Sequence, residues 1–225
     1  MSKLPRNHNA THDVDAFLEK VRRTPAPAVP SGKRGRLIFA LDATMSRQPT
    51  WDVACQIQGE MFDATRAIGG LDVQLVYFRG FGECKAGAWQ PDAAGLARLM
   101  SKVACHAGKT QIGKVLTHVK KQTDQGKVGA VVYVGDAFEE DIDDVCHTAG
   151  ELGILGVPVF VFQEGADPIA QRAFREIARL TNGAWCPFDL ASADRLKALL
   201  SAVAVYAAGG LKALEDYGRT ERAGA

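Results

Sequence analysis

The sequence predicts an α/β domain built on a doubly wound, mostly parallel sheet. Short continuous apolar runs ("RLIFALD", "GAVVYVGD", "VPVFVFQEG") alternate with segments whose apolar residues recur at helical spacing. Such runs suit strands buried on both faces, and their alternation with helices requires crossovers, which place helices on both sides of the sheet. Two of the runs end in an acid, Asp42 and Asp136. Ligands of open α/β sheets bind beyond the carboxyl ends of the strands, so those two acids sit where chemistry is expected.

The elements follow in order. Residues 1–35 read as an appendage: Asp13 to Arg23 is a short helix with Val14, Phe17, Leu18 and Val21 on one face, either docked on the domain or offered to a partner. The basic, Pro/Gly-rich "TPAPAVPSGKRG" is a linker. "RLIFALD" is the first strand. Thr50 is an expected N-cap for a helix carrying Val53, Ile57, Met61, Ala64 and Ile68, stopped by Gly69 and Gly70. "DVQLVYFRG" is the second strand, and the glycine-rich "FGECKAGAW" turns back into a short antiparallel strand around Ala88 to Gln90. Pro91 and Asp92 open a helix through about Val103, and Thr110 opens another with Ile112, Val115, Leu116 and Val119 on one face.

"GAVVYVGD" is the next strand, followed by a helix whose first turns carry acids, favourable against the helix dipole. "VPVFVFQEG", a helix from Pro168, the short strand "AWCPF" and a closing helix from Ala191 to about Tyr217 complete the domain, with a tail at 218–225. The domain proper is thus residues 36–217.

Bulk properties remove several function classes. The chain has 225 residues, 47% hydrophobic and 24% charged, which suits one domain with a full core. A net charge of +1 provides no global field for nucleic acid or anionic membrane. The five cysteines are scattered, with no CxxC or Cys/His cluster, so neither a zinc site nor a disulfide framework is indicated. No secretory leader and no apolar stretch of the roughly 20 residues a spanning helix needs is visible, and a cytoplasmic protein is expected. P-loop, Rossmann fingerprint and nucleophile elbow are all missing.

The polar residues expected at the strand ends are Asp42, Thr44, Ser46, Thr110 and Asp136. All present hard oxygen atoms, the donor set of Mg²⁺ or Mn²⁺. The alternation in D-x-T-x-S turns its three side chains toward one centre while Ala43 and Met45 point away. A phosphotransferase with an aspartate nucleophile at the end of its first strand needs a second acid two residues on. Thr44 stands there and cannot exchange a proton comparably.

"DATMS", the "GKTQIG" threonine and the "YVGDAF" aspartate resemble the metal-ion-dependent adhesion site (MIDAS) of von Willebrand factor A (VWA) domains. The resemblance covers roughly residues 36–215. It implies a three-layer, Rossmann-like fold with a six-stranded sheet and one antiparallel edge strand. It also implies a metal held directly by Thr44 and Ser46, and directly or through water by Asp42, Thr110 and Asp136. A sixth position is left for an acidic residue of a protein partner or for water. Three features depart from the family pattern: Thr44 for the first serine, "GKT" for "GGT", and "GDA" for "TDG". Lys109 thereby adds positive charge beside the metal loop, and the acids from Glu139 onward rim the same face. Arg47 and Trp51 are read as part of a contact surface, with packing over the first helix the alternative for Trp51.

The expected function is metal-bridged binding of a partner carboxylate, with no catalytic residues. Intracellular members of the family commonly serve as adaptors beside AAA-type ATPases, so the resemblance implies a place in an ATPase-containing assembly. A metal-free scaffold of the same fold and a Mg²⁺-dependent phosphohydrolase are the alternatives.

Overall fold

The computed structural model describes residues 8–24, 34–188, 197–209 and 213. Most of the expected linker and the whole C-terminal tail therefore lie outside the described residues. The sheet has six strands: β1 Gly35–Asp42, β2 Leu71–Arg79, β3 Glu83–Ala86, β4 Ala130–Gly135, β5 Val159–Glu164 and β6 Trp185–Phe188. Their order is β3-β2-β1-β4-β5-β6, and only the β2–β3 pair is antiparallel. This is the doubly wound sheet with one antiparallel edge strand that the alternating pattern predicts.

Period-two alternation divides the core into two layers. Leu37, Phe39 and Leu41 of β1 point to one face, with Val132 and Val134 of β4. Helices α1 His8–Arg23, α2 Gln48–Ile57, α3 Gly59–Thr65 and α4 Ala93–Met100 contribute buried residues to that face, as does a last helix over 197–209. Ile38 and Ala40 point the other way, with Val131 and Tyr133, against α5 Ile112–Gln125, α6 Ile142–Ile154 and α7 Pro168–Leu180. Helix α1 is docked: Phe17 is fully buried with its ring centroid 5.8 Å from Phe160 and 5.2 Å from Phe162. The hydroxyl of Thr24 donates to the Asn182 carbonyl at 3.0 Å, pinning the end of α1 to the approach to β6.

Three local expectations are corrected. Thr50 does not cap a helix. Pro49 occupies the first turn, where its missing N–H costs nothing, so α2 already begins at Gln48 and Thr50 lies inside it. The single helix expected through Ile68 breaks after Ile57 into α2, α3 and a 3₁₀ turn over Arg66–Ile68, with Gly59 opening α3. Gly69 then closes that run in the left-handed conformation, φ 111°. The antiparallel strand lies at Glu83–Ala86 rather than Ala88 to Gln90. The chain reverses at once through Gly80, φ 61°, and Arg79 grips Glu83 by two hydrogen bonds of 3.0 Å. Gln90 retains one antiparallel bridge, to Val73.

The acids at the start of α6 have distinct roles. Asp141 is its N-cap, accepting from the Asp143 and Asp144 amides at 2.9 and 3.2 Å. Asp141→Ala should cost ~1 kcal/mol of stability, read from the denaturant midpoint at unchanged m-value. Among the described residues no helix is long and apolar enough to cross a membrane.

Candidate metal centre at the carboxyl ends of the strands

Strands β1 and β4 are neighbours, and Leu41 pairs with Val134. Asp42 therefore leaves the sheet opposite Gly135, and Asp136 follows one residue beyond on the adjacent strand. Asp42 is 3% exposed, with its Oδ1 accepting the Thr44 amide at 2.7 Å. That short turn lets the chain come off the strand with Ala43 buried in the core and Met45 out in solvent. Thr44 and Ser46 are left on a common side, their hydroxyl oxygens 3.4 Å apart. The alternation expected from D-x-T-x-S is present.

Thr110 reaches the same end of the sheet from the loop before α5. Its hydroxyl accepts the Glu139 amide at 3.0 Å, and its own amide donates to the Glu139 carboxylate at 3.2 Å. This reciprocal pair ties the Thr110 loop to the loop after Asp136. Glu140 strengthens the tie, accepting from the amides of Ile112 and Gly113 at 2.5 and 2.9 Å and so capping α5 from another part of the chain. The Thr110 loop is also fixed to β1, through the His106 amide on the Ala43 carbonyl at 3.0 Å, and to the β2–β3 turn, through the Lys109 amide on the Gly80 carbonyl at 3.0 Å.

Burial pushes the Asp42 carboxyl up to about 6. Its hydrogen bonds with Thr44 oppose the rise, Asp136 adds to it, and Arg47 reduces it. Burial disfavours the charged form of this carboxyl, and nearby positive charge offsets that cost, as Arg47 does here. Tyr133 lies in the layer below, its hydroxyl buried without a partner. A side chain at Gly135 would come within 2.6 Å of that oxygen, so the backbone between Tyr133 and Asp136 sits directly on the ring. Among the described residues no group of three His, Cys, Asp or Glu side chains could hold a metal. Any ion here needs hydroxyl ligands, and the two carboxylates with three hydroxyls suit a small hard cation in donor chemistry.

No family model matches the sequence, and no curated protein matches it either. Solved structures do match. A von Willebrand factor type A protein from Catenulispora acidiphila aligns at TM-score 0.63 and 14% identity, over 76% of this chain and 43% of its own. The VWA domain of SpRpn10 aligns at TM-score 0.56 and 10% identity, over 76% of this chain and 94% of its own. Proximal thread matrix protein 1 from the mussel byssus, with a zinc-occupied MIDAS motif, aligns at TM-score 0.58 and 15% identity, over 76% of this chain and 45% of its own. The chain has a VWA fold. It spans less than half the length of the Catenulispora and mussel proteins.

Within the VWA fold, the candidate contact residues behave differently from one another. Trp51 is corrected: it is 2% exposed, its indole N–H donates to the Met100 carbonyl at 3.2 Å, and its ring meets Tyr77 edge-on. It packs over α4 and offers no contact surface. Lys109 is exposed at the rim. Glu139 is exposed too, with one carboxylate oxygen engaged by Thr110. Arg47 turns inward, its side chain 11% exposed, and forms ion pairs with Asp136 and Glu164. Glu164, at the end of β5, and Thr50, whose hydroxyl donates to the same Glu164 oxygen, are polar members of the site that sequence reasoning missed. The signal was available: Glu164 ends a buried strand just as Asp42 does, with glycine following.

Proposed function

We propose that this VWA domain binds a protein partner through a divalent cation, Mg²⁺ or Mn²⁺, at Asp42, Thr44, Ser46, Thr110 and Asp136, with an acidic side chain of the partner completing the coordination. The observation that carries this reading is the buried Asp42 carboxylate, facing converging Thr44 and Ser46 hydroxyls one strand away from Asp136. Asp42 and Asp136 supply charge to balance the ion, and the three hydroxyls supply neutral oxygens that leave it electrophilic. The ion's role is to attract and orient a carboxylate. Lys109 and Glu139 lie on the rim where such a partner docks. The zinc-occupied MIDAS of the mussel protein supports divalent occupancy of this kind of site.

The site is built for binding rather than turnover. Position 44, where proton transfer to a leaving group would need an acid, holds a hydroxyl. An adaptor role within an ATPase-containing assembly is part of the same proposal and follows from the family resemblance.

Calorimetric titration of Mg²⁺ and Mn²⁺ into wild type and Asp42→Ala tests the metal. Heat in wild type that vanishes in the variant is expected, whereas no heat in wild type, or equal heat in both, overturns it. Hydrolysis of a generic phosphomonoester by wild type, lost in Asp42→Asn, would overturn the non-enzymatic reading.

A further inference from the structure

Arg47 follows Ser46 directly, and its guanidinium lies among the proposed metal ligands. Nη2 is 3.0 Å from Asp136 Oδ2, Nη1 contacts Glu164 Oε2, and Nε is 3.4 Å from Ser46 Oγ. The side chains of Arg47, Asp136 and Glu164 are 11%, 24% and 15% exposed, so this is no solvated surface pair. A guanidinium removed this far from water requires carboxylates around it, and here it has one from β4 and one from β5. Thr50 adds a hydroxyl to the same Glu164 oxygen, fixing that carboxylate in place from α2.

We propose that Arg47 is the resident counter-cation of the site, competing with the divalent ion for Asp136, and that Glu164 with Thr50 is the berth that retains the guanidinium when the ion takes Asp136 away. This inference rests on the metal-binding reading above and specifies how that site is regulated. Two charge arrangements alternate. In one, Arg47 bridges Asp136 and Glu164. In the other, Asp136 turns to the ion and Arg47 is held by Glu164 alone. The guanidinium occupies an Asp136 oxygen and adds positive charge beside a doubly charged ion, so it lowers metal affinity. It also keeps Asp136 and Glu164 neutralised in the metal-free state. A site of this kind fills when ion and partner carboxylate arrive together, because the partner's negative charge offsets the guanidinium.

The test is Mg²⁺ titration by calorimetry, paired with metal-free thermal melts, for wild type, Arg47→Met, Glu164→Gln and the double variant. Arg47→Met should bind Mg²⁺ about tenfold more tightly than wild type, melt lower without metal, and gain a larger rise in melting temperature from saturating Mg²⁺. Glu164→Gln, which leaves Asp136 as the guanidinium's remaining carboxylate, should bind Mg²⁺ more weakly. In the Arg47→Met background the same glutamate change should have much less effect, because Glu164 acts through Arg47. Arg47→Gln serves the same comparison should Arg47→Met fail to fold. If Arg47→Met binds Mg²⁺ no better than wild type, Arg47 is a strut for Asp136 and this inference alone falls. If wild type binds neither Mg²⁺ nor Mn²⁺, the metal reading falls and this inference falls with it.

Discussion

Raising the pH of the metal-free protein from about 4 to about 8 should remove roughly 2 kcal/mol of stability through Asp42 alone, and Asp42→Asn should abolish that loss. Burial holds the Asp42 carboxyl at about 6 in the folded chain, against an ordinary value of 3.8. A folded value above the unfolded one means the native state binds the proton more tightly. The resulting stability is fully present below 3.8 and is lost as pH rises through about 6. Glu83 acts in the opposite sense. Arg79 first, and then Lys85, hold its carboxyl at about 2, so its contribution is present above the ordinary range and lost in acid. The informative quantity is therefore the difference between wild type and Asp42→Asn at each pH, since Glu83 is common to both. Asparagine keeps an oxygen for the Thr44 amide, so the turn after β1 survives the change. Saturating Mg²⁺ should restore wild-type stability above pH 6 by binding the ionised carboxylate, and should do nothing for Asp42→Asn. Parallel pH profiles for the two metal-free proteins would show that Asp42 is not the desolvated group described here.

The fold was legible because its signals are redundant. β1, β4 and β5 read as buried strands from composition alone, and helix spacing between them left one architecture. What the sequence obscured was decided by single contacts. Pro49 moved the start of α2 upstream of Thr50. The pairing of Arg79 with Glu83 pulled β3 close behind its turn, where glycine content alone suggested a later strand. At the site, Asp42, Thr44 and Ser46 were legible because three adjacent alternate positions share one strand end. Glu164 ends a buried strand as Asp42 does and so was legible as a rim residue, but its role was not, because that role depends on Arg47 turning back across β4, and no sequence period encodes a contact between residues so far apart. Glu139 and Glu140 read as dipole-stabilised acids of the following helix. Instead they serve the Thr110 loop and the N-terminus of α5, a helix packed beside their own.

Gly108→Ala should cost ~2–4 kcal/mol of stability and lower Mg²⁺ affinity at least tenfold, although residue 108 carries no ligand. A methyl group at Gly108 would lie 2.2 Å from both the nitrogen and the oxygen of Gly80. Those are backbone atoms of the β2–β3 turn, and they cannot rotate aside as a flexible side chain would. To admit the methyl, the loop must part from the turn. That breaks the 3.0 Å bond from the Lys109 amide to the Gly80 carbonyl and the 3.2 Å bond from the Gln111 side chain to the Arg79 carbonyl. Thr110 lies between those two anchors, so its hydroxyl moves with them, and its pairing with Glu139 transmits the shift to the loop beyond Asp136. Gly150→Ala is the matched control. It lies within α6 with nothing inside 4 Å of the added carbon, and alanine's higher helix propensity should stabilise the chain by ~0.5–1 kcal/mol without altering Mg²⁺ binding. Denaturant unfolding and calorimetry on the pair separate the effect of close backbone approach from any general effect of replacing glycine. Wild-type Mg²⁺ affinity in a folded Gly108→Ala would mean that Thr110 contributes nothing to the ion, reducing the proposed ligand set to the residues after β1 and β4.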